Sequence, residues 1–419
     1  MHTVRRFARV ARACALVSMA AACGTTDPAP VPKPSEPLTA LPRQLTAAER
    51  AVIDGSNAFA FGLLREVNAT NRDANVFISP VSASMALGMT MNGAAGTTLD
   101  EMRSMLGFGT LPLADVNASY ASLIALLRGL DPATEFRIAN SIWYRDDFPF
   151  NEAFLGTTRQ YFDAEVRGID FEDRSSVDVI NAWVHEGTNG KIPTILETIP
   201  PEAVMYLINA MYFKGSWRDR FDPAQTRDDQ FTTAAGTPVP VRMMHREGGV
   251  AYYADAELEA VDLPYGNSAF TMTVLLPREG RSAEDLAATL TPDRWNAVTN
   301  GLAGAEGDVY LPKFTLTFKQ LLNDQLQALG MRAAFGAADF TPMSPRGRDL
   351  FVSKVLQKTF VDVNEEGTEA AAATAVEISV TSAPARITFR ADRPFLFAIR
   401  ERLSGTILFV GKLVTPPAG

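Results

Sequence analysis

The sequence predicts an α+β fold built as one domain of about 370 residues, and three observations point there. From Ala48 to about Pro416 helical and strand-like patterns alternate with no linker between them. The strand-like runs are short, and long connections separate many of them, which suits neither a simple parallel βαβ sheet nor a barrel. Hydrophobic residues make up 47% of the 419 and charged residues 21%, a composition that fills a core and excludes wholesale disorder, collagen and coiled coil.

Residues 1–22 are expected to lie outside that domain. Arg5, Arg6, Arg9 and Arg12 precede a mostly apolar run from Ala13 to Ala22, which ends in small residues directly before Cys23. This is the layout of a bacterial export signal, and the run is too short for a membrane helix. The chain has two cysteines, Cys14 and Cys23, so the fold needs no disulfide. Small residues running into Cys23-Gly24 resemble a lipoprotein signal, in which the cysteine becomes the lipidated first residue. Ala20 stands where that pattern usually has leucine, and a plain secretory signal with an incidental cysteine is the alternative. Residues 23–47 read as a tether, because Pro28, Pro30, Pro32, Pro34, Pro37 and Pro42 favour extended polyproline II and supply no core. The folded domain is then 48–417.

Thr46-Ala-Ala-Glu49 is a capping box, and Ala58, Phe59, Phe61, Gly62 and Leu63 follow at helical spacing. Ser79-Pro80 opens an apolar helix from Val81 to Met91, closed by Asn92-Gly93. Leu207 to Phe213, Thr271 to Leu276 and Phe395 to Ile399 have strand length.

Chemistry-bearing motifs are scarce. The net charge of −9 argues against a nucleic-acid partner, since phosphate contacts need clustered Lys and Arg. Outside the leader only His185 and His245 remain, and both read as ordinary structural histidines. No metal-ligating, phosphate-binding or nucleophile-elbow motif is present, so neither catalysis, a metal nor a cofactor is expected.

The informative stretch is Asn364-Glu-Glu-Gly-Thr-Glu-Ala-Ala-Ala-Ala-Thr-Ala-Val376. It suits an alanine-rich helix with acids at its start. It also suits a strand that slides between two others. Thr368, Ala370, Ala372, Thr374 and Val376 would then share a face with no charge and no large side chain, as a packed interior demands. Glu369, Ala371, Ala373, Ala375 and Glu377 would form the other face, and Gly367 would give freedom at the pivot.

This stretch resembles the hinge of the reactive-centre loop of a serpin, and of an inhibitory one. Further segments resemble the family in its own order: Asn75-Val-Phe-Ile-Ser-Pro-Val-Ser82, Asn181-Ala-Trp-Val184, His185-Glu-Gly-Thr-Asn-Gly-Lys-Ile192, Ile208-Asn-Ala-Met-Tyr-Phe-Lys-Gly-Ser-Trp217, Leu311-Pro-Lys-Phe314, Arg393-Pro-Phe-Leu-Phe397, and Gly405 to Lys412. The resemblance covers nearly all of Glu49 to Val414.

The resemblance implies a fold of three β-sheets with surrounding helices and an exposed reactive-centre loop at about 365–390. It implies no enzyme but a suicide substrate: a serine protease attacks the loop and is held as an acyl-enzyme while the cleaved loop inserts into the main sheet. The hinge maps to Glu365, Glu366, Gly367, Thr368, Glu369, Ala370, Ala371, Ala372 and Ala373. Ser79, Ser82 and Asn209 map to the polar cluster where the strands part, with Gln357 in place of the family's usual histidine. Gln357 donates and accepts but cannot become cationic near neutral pH. Trp217 maps to the top of the opening, and Lys313 to the partner of Glu365, an exposed pair contributing about 0–1 kcal/mol.

Family spacing from Glu365 places the scissile bond at Thr381-Ser382, with Val380-Thr381 and Ser382-Ala383 also open. Small and β-branched residues there suit elastase-like or subtilisin-like pockets; Arg386 would suit a trypsin-like one. The expected partner is therefore a serine protease, the chain a monomer, and membrane contact only through a lipid at Cys23, on the cell envelope or surface; without the lipid the protein is secreted. A non-inhibitory carrier or surface-binding protein of the same fold is the alternative.

Overall fold

The computed structural model describes residues 36–368 and 386–417. In chain order the strands are β1 (Val76–Ile78), β2 (Thr134–Arg145), β3 (Ala164–Ile169), β4 (Met205–Ser216), β5 (Arg227–Thr232), β6 (Pro238–Ala254), β7 (Leu258–Pro264), β8 (Phe270–Pro277), β9 (Ala303–Pro312), β10 (Phe314–Leu321), β11 (Leu356–Asn364), β12 (Gly367–Thr368), β13 (Ile387–Arg390), β14 (Phe395–Glu401) and β15 (Ile407–Leu413).

One sheet runs β10-β11-β12-β4-β2-β3; the other runs β1-β15-β14-β8-β7-β6-β9-β13, with β5 also on β6. Three sheets were expected, and among the described residues the ladders join into two. The cause is β6. Its 17 residues pair with β5 over Pro238–Met243, with β9 over Met243–Tyr252 and with β7 over Ala251–Ala254, so one strand carries two ladders that a shorter one would leave separate.

Two helices place the site. Helix α1 (Ala47–Thr70) starts at the predicted capping box: Thr46 Oγ1 accepts from the Glu49 N–H at 3.1 Å, and the Glu49 carboxylate accepts from the Thr46 N–H at 2.7 Å. Helix α2 (Pro80–Met91) begins at the Ser79-Pro80 step and stops at Asn92. Nearly every residue of α2 is buried, as a helix apolar all round must be. It packs against β4 of one sheet and β15 of the other, so the two sheets meet across it. The strands β7, β8, β14 and β15 are buried on both faces. Apolar runs such as Val274–Leu276, Phe395–Ile399 and Ile407–Val410 follow from that burial, and the charged Asp262 and Arg400 within these strands pair with each other.

Candidate functional site

The stretch singled out above begins at the upper end of the six-stranded sheet. After β11 the chain turns at Glu365-Glu366 and comes back as β12, antiparallel to β11 on one side (Val363 opposite Thr368) and to β4 on the other (Thr368 opposite Gly215). The turn is local chemistry: the Asn364 side chain accepts from the Glu366 N–H at 3.0 Å, an Asx-type closure. Gly367 is required twice over. Its φ is 151°, and a Cβ there would stand 2.1 Å from the carbonyl oxygen of Gly215, so no side chain fits. Gly215 is bare for a matching reason, since a Cβ on it would meet the Tyr265 ring at 2.9 Å.

Trp217, 3% exposed, holds this turn. Its backbone N–H donates to Glu366 O at 2.8 Å, and its indole Nε1 donates to Asn364 O at 2.9 Å. The Phe221 N–H donates to Glu365 O at 3.1 Å. The carbonyls of the turn are thus paired, as buried backbone groups need to be. The indole stacks on Tyr265 with centroids 4.5 Å apart and planes at 13°. The Tyr265 hydroxyl lies 2.7 Å from that of Thr368, and Thr368 is 1% exposed. Burial holds the Tyr265 phenol well above its usual pKa, so it stays a neutral partner.

The acid at the turn is not the exposed group the sequence suggested. Glu365 is buried; its Oε2 lies 2.7 Å from Lys313 Nζ, and its Oε1 accepts from the Thr226 hydroxyl at 2.8 Å. Burial pushes the carboxyl pKa up, but the hydrogen bonds from Lys313, its own backbone and Thr226 outweigh that and hold it below the usual range. A depressed carboxyl pKa adds stability above the unfolded value of about 4.3 and loses it as pH falls through the folded value. Lys313 is 39% exposed, which discounts the pair to about 1 kcal/mol. Lys313→Met should therefore speed hydrogen exchange of the Trp217 indole N–H about fivefold at neutral pH. That difference should vanish in acid below the folded Glu365 value. Equal exchange rates at neutral pH would remove the pair from the docking of the turn.

Lower in the sheet, Gln357 on β11 and Ser79 ahead of α2 bond reciprocally. Gln357 Nε2 donates to Ser79 O at 2.8 Å, and Gln357 Oε1 accepts from the Ser79 N–H at 3.0 Å. One donor and one acceptor are needed, which an amide supplies and an imidazolium, with two donors, would not. Ser79 sits at the N-cap position of α2 but makes no side-chain cap; its hydroxyl donates to Leu408 O on β15 at 2.8 Å. Ser82 is buried on α2. Asn209 pairs with Asn140 through the β4–β2 backbone, and its side chain is outside the described set. Ser79 and Gln357 thus tie both sheets to α2 at one point.

Glu369, Ala370, Ala371, Ala372, Ala373, Thr381, Ser382 and Cys23 lie outside the described residues, and with them the choice between helix and strand beyond Thr368. At the two ends of the expected loop, 365–366 form the turn and 367–368 pair in the sheet, and Ile387–Arg390 form β13, parallel to β9. Arg386 is held by Glu247 at 2.6 Å and Asp308 at 3.3 Å. His245 has the structural role expected of it, bonded to Asp308 at 2.8 Å and stacked on Tyr310.

The model of the family described as serpin (serine protease inhibitor) matches residues 54–416. The chain belongs to the serpin family. It is 35% identical over 381 residues to an uncharacterized serpin-like protein of Thermococcus kodakarensis, covering 88% of this chain and 87% of that one. It is 36% identical over 371 residues to the leukocyte elastase inhibitor of Sus scrofa, covering 85% and 97%. The structure of human thyroxine-binding globulin superposes with a TM-score of 0.81 at 28% identity, over 89% of this chain and 100% of that one. The serpin fold expected from the sequence is therefore shown, and serpins in general are protease inhibitors rather than enzymes.

Several residues of the site in this serpin escaped sequence reasoning: Tyr265, Thr226 and Gly215 around the docked turn, and lower in the sheet Thr359, whose hydroxyl donates to Phe77 O at 2.5 Å. Gly215 alone carried a visible sign, because glycine inside a strand marks a close backbone approach. Tyr265 lies 103 positions from Thr368, and no local pattern connects them.

Proposed function

We propose that this serpin is a suicide-substrate inhibitor of elastase-like or subtilisin-like serine proteases, cut at Thr381-Ser382. The supporting observation is β12. Gly367 and Thr368 of the hinge already stand as a strand between β11 and β4, with Thr368 buried between them. The residues that follow are small, so continued entry meets no steric bar. Glu365, Glu366 and Gly367 form the pivot, Trp217 and Lys313 hold it, and Ser79, Ser82, Asn209 and Gln357 line the lower opening. The protein acts as a monomer, is exported through residues 1–22, and is anchored to the cell envelope by a lipid on Cys23. Cys23→Ala should move it from the membrane fraction to the soluble one; unchanged fractionation would remove the anchor.

Incubation with elastase followed by a denaturing gel tests the activity. A covalent band that survives boiling is expected, and clean cleavage alone would favour a carrier. Specificity should be separable from trapping. Thr381→Arg presents a guanidinium to the aspartate of a trypsin-like pocket and leaves the hinge intact. It should gain covalent trypsin complex and lose that with elastase. The released C-terminal peptide should begin at Ser382; one beginning at Ala383 would move the bond by one residue, and one beginning at Ile387 would make Arg386 the bait.

A further inference from the structure

Away from the docked turn, a cleft of about 910 Å³ opens between β6, the ends of β7 and β9, and the N-terminal segment. The segment is pinned over it: the Leu38 N–H donates to Asn267 O at 2.7 Å, and Arg402 donates to Leu38 O and to Ser268 O. Pro37 and Thr39 therefore form part of the rim. Gly248, at φ 130°, and Gly249 carry no side chain to close the opposite wall.

Two lining groups lack the partners their burial demands. Arg246 is 7% exposed. Its Nε is sealed from water with no acceptor, and its Nη1 reaches Gly249 O only at 3.5 Å. Among the described residues no carboxylate forms an ion pair with it. Burial lowers its pKa, and the nearby Asp219 opposes that without closing a bond. Thr271, fully buried, has a hydroxyl with no partner. A buried guanidinium held only by a long bond to Gly249 O and by the face of the Phe221 ring is costly to keep. Of the other charges on the lining, Asp262 and Arg402 are engaged elsewhere. Asp262 is bound by Arg400 and by the Thr273 hydroxyl, both at 2.5 Å.

We propose that this cleft binds a small organic monocarboxylate, whose carboxylate pairs with the outer edge of the Arg246 guanidinium. Pro37, Val250, Ala251 and Pro264 supply apolar walls for its body. Asp219 and Glu306, also on the lining, disfavour a more highly charged anion such as phosphate. Closure of a preformed apolar cleft with one oriented charge is the usual design of a small-molecule site. The reading is independent of protease trapping.

Calorimetric titration of the full chain with phenylacetate tests it. Saturable binding with one ligand per chain is expected, with a rise in melting temperature of the liganded protein. Arg246→Gln should weaken binding by about tenfold or more. The alcohol 2-phenylethanol should not bind at the same concentration. Absence of saturable phenylacetate binding, equal binding of the alcohol, tighter binding of inorganic phosphate, or unchanged affinity in Arg246→Gln would each overturn the site.

Discussion

A single nick near Thr381 is expected to raise the melting temperature of this serpin. The docked turn leaves Thr368 in place between β11 and β4, so a freed chain has its first rung already formed. About a dozen further residues can then add ladder bonds at roughly 0.5–1.5 kcal/mol each, a gain of the order of 10 kcal/mol. For a domain of this size that corresponds to a rise of about 10 °C or more. The same quantity is comparable with the whole stability of an ordinary domain, about 5–15 kcal/mol, which is what lets insertion disorder an attached protease. Differential scanning calorimetry before and after limited elastase cleavage measures it. An unchanged or lower melting temperature would end the insertion mechanism. On the proposed mechanism the intact protein would owe its persistence to a slow rate rather than to equilibrium, so scan rate must be held fixed.

Thr368→Arg carries the other large effect. The position is 1% exposed and its hydroxyl meets that of Tyr265 at 2.7 Å beneath the Trp217 stack. A long cation has neither room nor partner there, and an uncompensated buried charge costs several kcal/mol. The turn should be expelled, insertion should fall behind hydrolysis of the acyl-enzyme, and the variant should be cut at the same bond without forming a stable complex. Thr368→Ser, which keeps the hydroxyl, should retain inhibition. Full covalent complex from the arginine variant would contradict the placement of Thr368 on the buried face.

The fold was legible where local pattern and burial agree. The capping box at Thr46, the Ser79-Pro80 start of α2 and the apolar runs of β4, β8 and β14 each carry their own information. Sheet count was not, because it depends on how far β6 runs before its partners change: the buried face shifts from Val241 and Met243 to Met244, Arg246 and Val250, but the chain continues as one strand through that shift. The expected site divides in the same way. The hinge motif announces itself through small residues and a glycine, but the depth to which it is docked depends on Gly215, Tyr265 and Trp217, distant in sequence and brought together by β4 and the turn before β8. The burial of Glu365 was missed because Thr226 and Lys313 enclose it from two other elements, and an acidic pair in a sequence reads as a solvated turn.

The two-residue strand β12 also fixes direction and phase. Side chains alternate faces along a strand, so on insertion the pairing of Thr368 with Gly215 and Val363 would put each later even-numbered residue on the same side. A slip of one position would turn Glu369 and Glu377 inward instead. On the proposed mechanism the search for register, ordinarily the slow part of adding a strand, is completed before a protease arrives. What would remain is propagation, at about 3.3 Å per residue, over a path of about 40 Å from Thr368 to Thr381. Transport of a bound protease along that path would then be a one-way zipper whose starting tooth is already closed.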